Sequence, residues 1–164
     1  MRAFLAILLL LVVETLAGEH RFVSPNGEFE AYTVAANEDG TGMKLYVRRA
    51  NARDPGMLLR QNNRWIDGKW SPNSQYLAVI NHLDGHISDV YVFAVAASNA
   101  APTLLYHTPD LGKYDVKWEV MDWDMARREI ILDKQEKHGS LGRITREKVV
   151  AHIGTKALKF DPAE

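Results

Sequence analysis

Three residues at alternate positions, His82, Asp84 and His86, form the densest group of potential metal ligands in this sequence. In an extended segment, side chains at i, i+2 and i+4 project to one face. Two imidazoles and a carboxylate there would suit Zn²⁺, with Asp89 as an outer partner orienting a ligand. Against this stands the Asp84-Gly85 pair, which predicts a hairpin connection whose side chains fan outward. A second group is aromatic. Trp65 and Trp123 are candidate stacking platforms for a sugar or another flat ligand, and Asp39 and Asp89 are candidate polar contacts beside them. Asp122 and Asp124 flank Trp123, and acid–base hydrolysis of a glycoside needs paired carboxylates at a controlled separation. Asp-Trp-Asp also suits an ordinary turn. Nucleophilic and phosphate chemistry have less support. The chain has no Cys and no Gly-x-Ser-x-Gly, and Gly40-Thr41-Gly42 lacks the length and the Lys of a phosphate loop.

Positioning these groups falls to a sequence that repeats itself. Ser24-Pro25-Asn26-Gly27-Glu28-Phe29-Glu30-Ala31 returns as Ser71-Pro72-Asn73-Ser74-Gln75-Tyr76-Leu77-Ala78, an offset of 47 residues. Each copy continues to an Asp-Gly pair, Asp39-Gly40 or Asp84-Gly85, and then to a second apolar run containing Tyr-Val. A period of this length is that of propeller blades.

The runs between the turns are rich in aromatic and β-branched residues and predict strands. They cover Glu28 to Ala36, Met43 to Arg49 and Met57 to Leu59 in the first unit. In the second they cover Gln75 to Asn81, Ser88 to Ala96 and Thr103 to Tyr106. A third, degraded unit follows. Val116-Lys117-Trp118 echoes Gly68-Lys69-Trp70, which makes Trp70 and Trp118 equivalent core residues and leaves Trp65 and Trp123 as the exposed ones. Glu129 to Leu132 and Lys148 to Ile153 are its strands, and Arg146 to Ala151 is alternatively a short helix.

The Ser-Pro-Asn turn, the following aromatic, the Asp-Gly pair and the Tyr-Val strand together resemble the WD40-like PD40 repeat. That repeat occurs in TolB-type β-propellers and in the propellers of prolyl-oligopeptidase-like enzymes. The similarity is carried by residues 22–93 and is faint from Tyr114 to Leu132. It implies blade packing and turns, and transfers no catalytic residue. The fold class expected is therefore all-β: propeller-blade-like antiparallel repeats in a compact or incomplete propeller or sandwich. A closed propeller ordinarily has four or more blades. Three units can instead curl into one sandwich, stop as a partial propeller, or complete a ring by homo-oligomerisation.

The ends predict location. Arg2, then the apolar run Phe4 to Val13, then small Thr15 and Ala17, read as a secretory signal over 1–17. The run is shorter than the roughly 20 residues a membrane span requires, so no transmembrane anchor is expected after cleavage. One repeat domain over 18–158 and a tail over 159–164 complete the expected organisation, in the periplasm or outside the cell. Loss of Arg2 and Glu14 leaves the net charge at −1, which gives no electrostatic footprint for nucleic acid.

The function expected is a non-enzymatic binding module for an envelope or extracellular protein or polysaccharide, without cofactor. The alternatives are a small zinc-dependent or glycan-acting enzyme at His82, Asp84 and His86, and a structural subunit that completes a propeller.

Overall fold

The computed structural model describes residues 20–96, 100–109, 115–139 and 142–154, so the expected leader over 1–17 and tail over 159–164 lie outside the described residues. Among the described residues eleven antiparallel strands form three sheets in chain order. The first sheet contains β1 (Arg21–Val23), β2 (Phe29–Ala35), β3 (Met43–Arg49) and β4 (Met57–Asn62), and the second contains β5 (Ile66–Trp70), β6 (Tyr76–His82), β7 (Ser88–Ala94) and β8 (Thr103–His107). Each is an up-and-down meander of four. The third has three strands, β9 (Val116–Asp124), β10 (Glu129–His138) and β11 (Arg143–His152). Separate antiparallel sheets packed face to face agree with the expected propeller-blade-like repeats. The helix alternative for Arg146 to Ala151 is replaced by β11, whose Val149 and Ala151 pack inward in alternation.

The repeated turn has a chemical reason. Ser24 Oγ accepts the N–H of Phe29 at 3.0 Å and donates to Asn26 Oδ1 at 2.8 Å, while Asn26 Oδ1 accepts the N–H of Glu28. Ser71, Asn73, Gln75 and Tyr76 reproduce the same bonds. The reversal needs a left-handed residue, supplied by Gly27 (φ 72°) and by Ser74 (φ 61°). In the third unit the left-handed residue is Arg128 (φ 56°), one position later in the turn and without a Ser-Pro-Asn sequence.

Two apolar cores alternate with the sheets. Phe29, Ala31, Leu45 and Val47 of the first sheet meet Trp70, Leu77, Val79 and Phe93 of the second. The other face of the second sheet, with Tyr76, Ala78, Val90 and Val92, meets Trp118, Trp123, Ile130 and Leu132 of the third. The central sheet is thus buried on both faces, and each large side chain buried there contributes about 1.5–3 kcal/mol.

At both interfaces an aromatic pair fills the same place. Phe29 stacks with Trp70 at 6.3 Å, and Tyr76 with Trp123 at 6.4 Å. Trp123, and not Trp118, is therefore the counterpart of Trp70. Val23 is the corresponding residue of the first sheet, as the strand pairs Val23–Glu30, Trp70–Leu77 and Trp123–Ile130 show. Among the described residues no sheet packs on that side, and Val23 is 57% exposed.

At matched positions near the repeated turn, the two outward faces of the stack carry a carboxylate where the interior faces carry an apolar side chain. Glu30 stands where Leu77 and Ile130 stand in the other sheets, and Arg48 bonds it at 2.6 Å while lying over the Tyr32 ring. On the far side, Glu129 occupies the position of Phe29 and Tyr76.

Candidate functional site

The exposed end of β5 is where the structure gathers its unusual groups. Trp65 immediately precedes this strand, and its carbonyl accepts the N–H of His82 at 3.2 Å. That bond sets Trp65 beside the end of β6. The two rings lie 5.1 Å apart, tilted by 51°. Asp67, two residues further along β5, shares the Trp65 face because strand side chains alternate. Ile66 between them turns into the first core.

His82 is largely buried and its Nε2 lies 3.0 Å from Asp67 Oδ2. The hydrogen bond from His82 is the main cause holding the Asp67 carboxyl below its ordinary range. Burial opposes that shift, and the charges of His82 and His20 support it. Asn62 Nδ2 donates to the His82 carbonyl at 2.6 Å, so both the ring and the backbone of this histidine are fixed.

Trp65, Asp67, Ile66, Met43, Thr33 and His20 line a pocket of about 410 Å³. The indole of Trp65 remains 53% exposed. The site thus offers an aromatic face braced by an imidazole, one ionised carboxylate and an apolar floor. Such a surface binds by stacking and hydrogen bonding. Asp67 is the one carboxylate among the lining residues, whereas glycoside hydrolysis in its usual form employs two.

The other residues singled out in the sequence are placed differently. Asp84 lies in the β6–β7 connection, where its carboxylate accepts the N–H of Gly85. His86 is exposed in the same loop, and His82 points to Asp67. The alternation that would align His82, Asp84 and His86 ends because β6 ends at His82. Among the described residues no group of three His, Asp or Glu side chains converges as a metal site. Asp39 serves its own turn, accepting from the Thr41 N–H and hydroxyl. Those bonds, the hydroxyl first, lower its pKa. Asp89 sits within β7 opposite Asn81.

Trp123 requires a correction. It is only 8% exposed, packed on Tyr76 between the second and third sheets, and so is no ligand platform. Asp122 and Asp124 belong to the end of β9 and not to a turn. The residue that sequence reasoning missed is Asp67. Its signal was its place two residues after Trp65 in a strand, but its partner is reached only through the β5–β6 register, which sets Asp67 opposite Ile80. His20, far from Trp65 in the sequence, also joins the pocket.

Neither a family model nor a curated protein matches the sequence. Solved structures do. The chain is similar to the β-propeller domain of the trilobed protease from Pyrococcus furiosus, a domain with an open velcro topology. That likeness covers 80% of this chain and 43% of the other, with TM-score 0.50 and 14% identity. A looser likeness joins it to Hsv2 of Kluyveromyces lactis, over 81% of this chain and 46% of that one, with TM-score 0.30 and 17% identity. The chain spans less than half the length of these solved propellers. The first likeness supports a propeller-type fold and nothing finer.

Proposed function

We propose that this chain is a non-enzymatic binding module of the propeller type that holds a polysaccharide strand against Trp65. The single observation behind this reading is the half-exposed Trp65 ring, braced by His82 beside the Asp67 carboxylate. A pyranose presents an apolar C–H face that stacks on indole, and its rim hydroxyls donate to a carboxylate. Fixing the platform before binding reduces the ordering cost on association. The hydrogen bond to His82 favours the ionised, accepting form of Asp67, the form such contacts use.

Two further parts of the proposal rest on sequence. The Ser-Pro-Asn turns and Tyr-Val strands support membership of the PD40 repeat type. The charged and apolar pattern over 1–17 supports export, which would put the pocket among envelope or extracellular glycans.

The test is a titration with soluble dextran, laminarin, xylan and peptidoglycan fragments, followed by tryptophan fluorescence. Trp70, Trp118 and Trp123 are buried, so a change on binding reports Trp65. The expected result is a saturable change with at least one glycan that disappears in Trp65→Ala while folding is retained. Absence of any response, together with equal migration of wild type and Trp65→Ala in glycan-loaded gels, would overturn the reading.

A further inference from the structure

The first two sheets each have a fourth strand on the outer side of the third, β4 on β3 and β8 on β7, and both pairings contain an irregularity, at Leu45/Tyr46 and Val92/Phe93. In the third sheet β11 holds the place of β3 and β7. Among the described residues no strand pairs with its outer edge. This edge runs for ten residues, Arg143–His152, and is matched residue for residue to β10 on its inner side. A strand edge of this length presents a row of backbone donors and acceptors suited to strand addition.

We infer that the outer edge of β11 accepts an extended acidic peptide from a partner protein, which becomes the fourth strand of this sheet. The side chains define the occupant. On the face turned away from the central sheet, β11 presents Ile144, Arg146, Lys148 and Val150 in alternation. Ile144 is 59% exposed and Val150 is 52% exposed. Asp133 of β10 lies opposite Lys148, and its carboxylate is 4.0 Å from Arg146 Nε. One carboxylate between two cations leaves this stretch positive. On the other face, Val149 and Ala151 pack into the second core and would continue it onto an added apolar side chain. An antiparallel partner thus needs acids opposite Arg146 and Lys148, apolar residues opposite Ile144 and Val150, and an apolar residue beside Val149.

The same charges argue against a second copy. Antiparallel pairing of two β11 edges centred on Glu147 would set Arg146 against Lys148 twice, and like charges directly opposite are unfavourable. This surface is separate from the Trp65 pocket, and the inference does not depend on the glycan reading.

The probe is a synthetic peptide, Val-Val-Leu-Glu-Thr-Glu-Thr-Val, labelled at its N-terminus, with a counterpart in which both Glu are Lys. Fluorescence anisotropy with the full chain is expected to show the acidic peptide binding about tenfold more tightly, since two cross-strand pairs change sign. The double variant Arg146→Glu with Lys148→Glu should reverse the preference. Hydrogen exchange should also slow at β11 amides that point away from β10. Equal binding of both peptides to wild type, no binding of either, or unchanged β11 exchange would overturn the inference. If the double variant fails to fold, the salt dependence of binding to wild type decides instead. A preference for the acidic peptide that fades as salt rises supports the pairing, and salt-independent binding overturns it.

Discussion

The backbone N–H of Asn26 donates to Ser74 Oγ at 3.0 Å, tying the turn of the first sheet to the turn of the second. Ser74 holds a left-handed backbone at φ 61°, the conformation that Gly27 takes in the first copy. A left-handed non-glycine residue costs about 1–2 kcal/mol. The hydroxyl contact between sheets offsets that cost, which explains why the second copy carries Ser and not Gly. Ser74→Ala keeps the strain and loses the bond, so stability should fall by about 1–2 kcal/mol. Ser74→Gly loses the bond but relieves the strain, and should stay within about 0.5 kcal/mol of wild type. Urea midpoints test this, and equal damage by both substitutions would refute the explanation.

The two interfacial tryptophans differ in one bond. Trp70 Nε1 donates to the Phe22 carbonyl at 2.7 Å, whereas Trp123 Nε1 is buried with no hydrogen-bond partner among the described residues. Trp70→Phe therefore strands a carbonyl as well as reducing packing, while Trp123→Phe removes an unsatisfied donor. Trp70→Phe should be the more destabilising by about 1–3 kcal/mol. Equal urea midpoints for the two variants would contradict this bonding pattern.

Glycine positions give a sharper contrast. Gly40 and Gly56 both have positive φ, at 78° and 73°. A methyl at Gly40 would meet open space. At Gly56 it would sit 2.6 Å from Arg48 Cβ and closer still to the Val47 carbonyl oxygen. Gly40→Ala should cost about 1–2 kcal/mol through backbone strain alone. Gly56→Ala should exceed about 3 kcal/mol, because the collision is with backbone that β3 holds in place. A thermal melt of each variant checks the ordering, which fails if Gly40→Ala proves the worse.

The first two sheets were legible in the sequence because Ser-Pro-Asn, the left-handed residue after it and the alternating aromatics are local signals. Even there the two Asp-Gly pairs are not alike, since Gly40 takes positive φ and Gly85 does not. The third sheet was misread for a physical reason. Opposite Ile131 and Leu132 stand Asp122 and Val120, so β9 carries a bulge at Met121. A bulge inserts one residue and reverses the alternation beyond it. Trp118 and Trp123, of opposite parity, therefore both face the core, and the match of Trp118 to Trp70 slips to Trp123. The site was half legible. Trp65 stood out for lacking a repeat partner, but Asp67 reaches His82 through pairing between strands, which spacing along one strand does not reveal.

The Asp67–His82 contact makes a prediction about acid. The carboxyl of Asp67 has its pKa lowered in the folded chain, chiefly by the hydrogen bond from His82. An unfolded Asp titrates near pH 3.9. With the folded value below the unfolded one, Asp67 contributes its full stabilisation above about pH 4 and loses it as pH falls through the folded value. Asp67→Asn lacks a titrating group at this position and should lose stability less steeply between about pH 5 and pH 2. Because Asp67 is about half exposed, the difference in slope will be modest, and low salt is the condition under which to measure it. The decisive comparison is the unfolding midpoint of wild type and variant across that range. Parallel curves would mean that the bond to His82 adds nothing in solution, and the braced platform beside Trp65 would lose its physical basis.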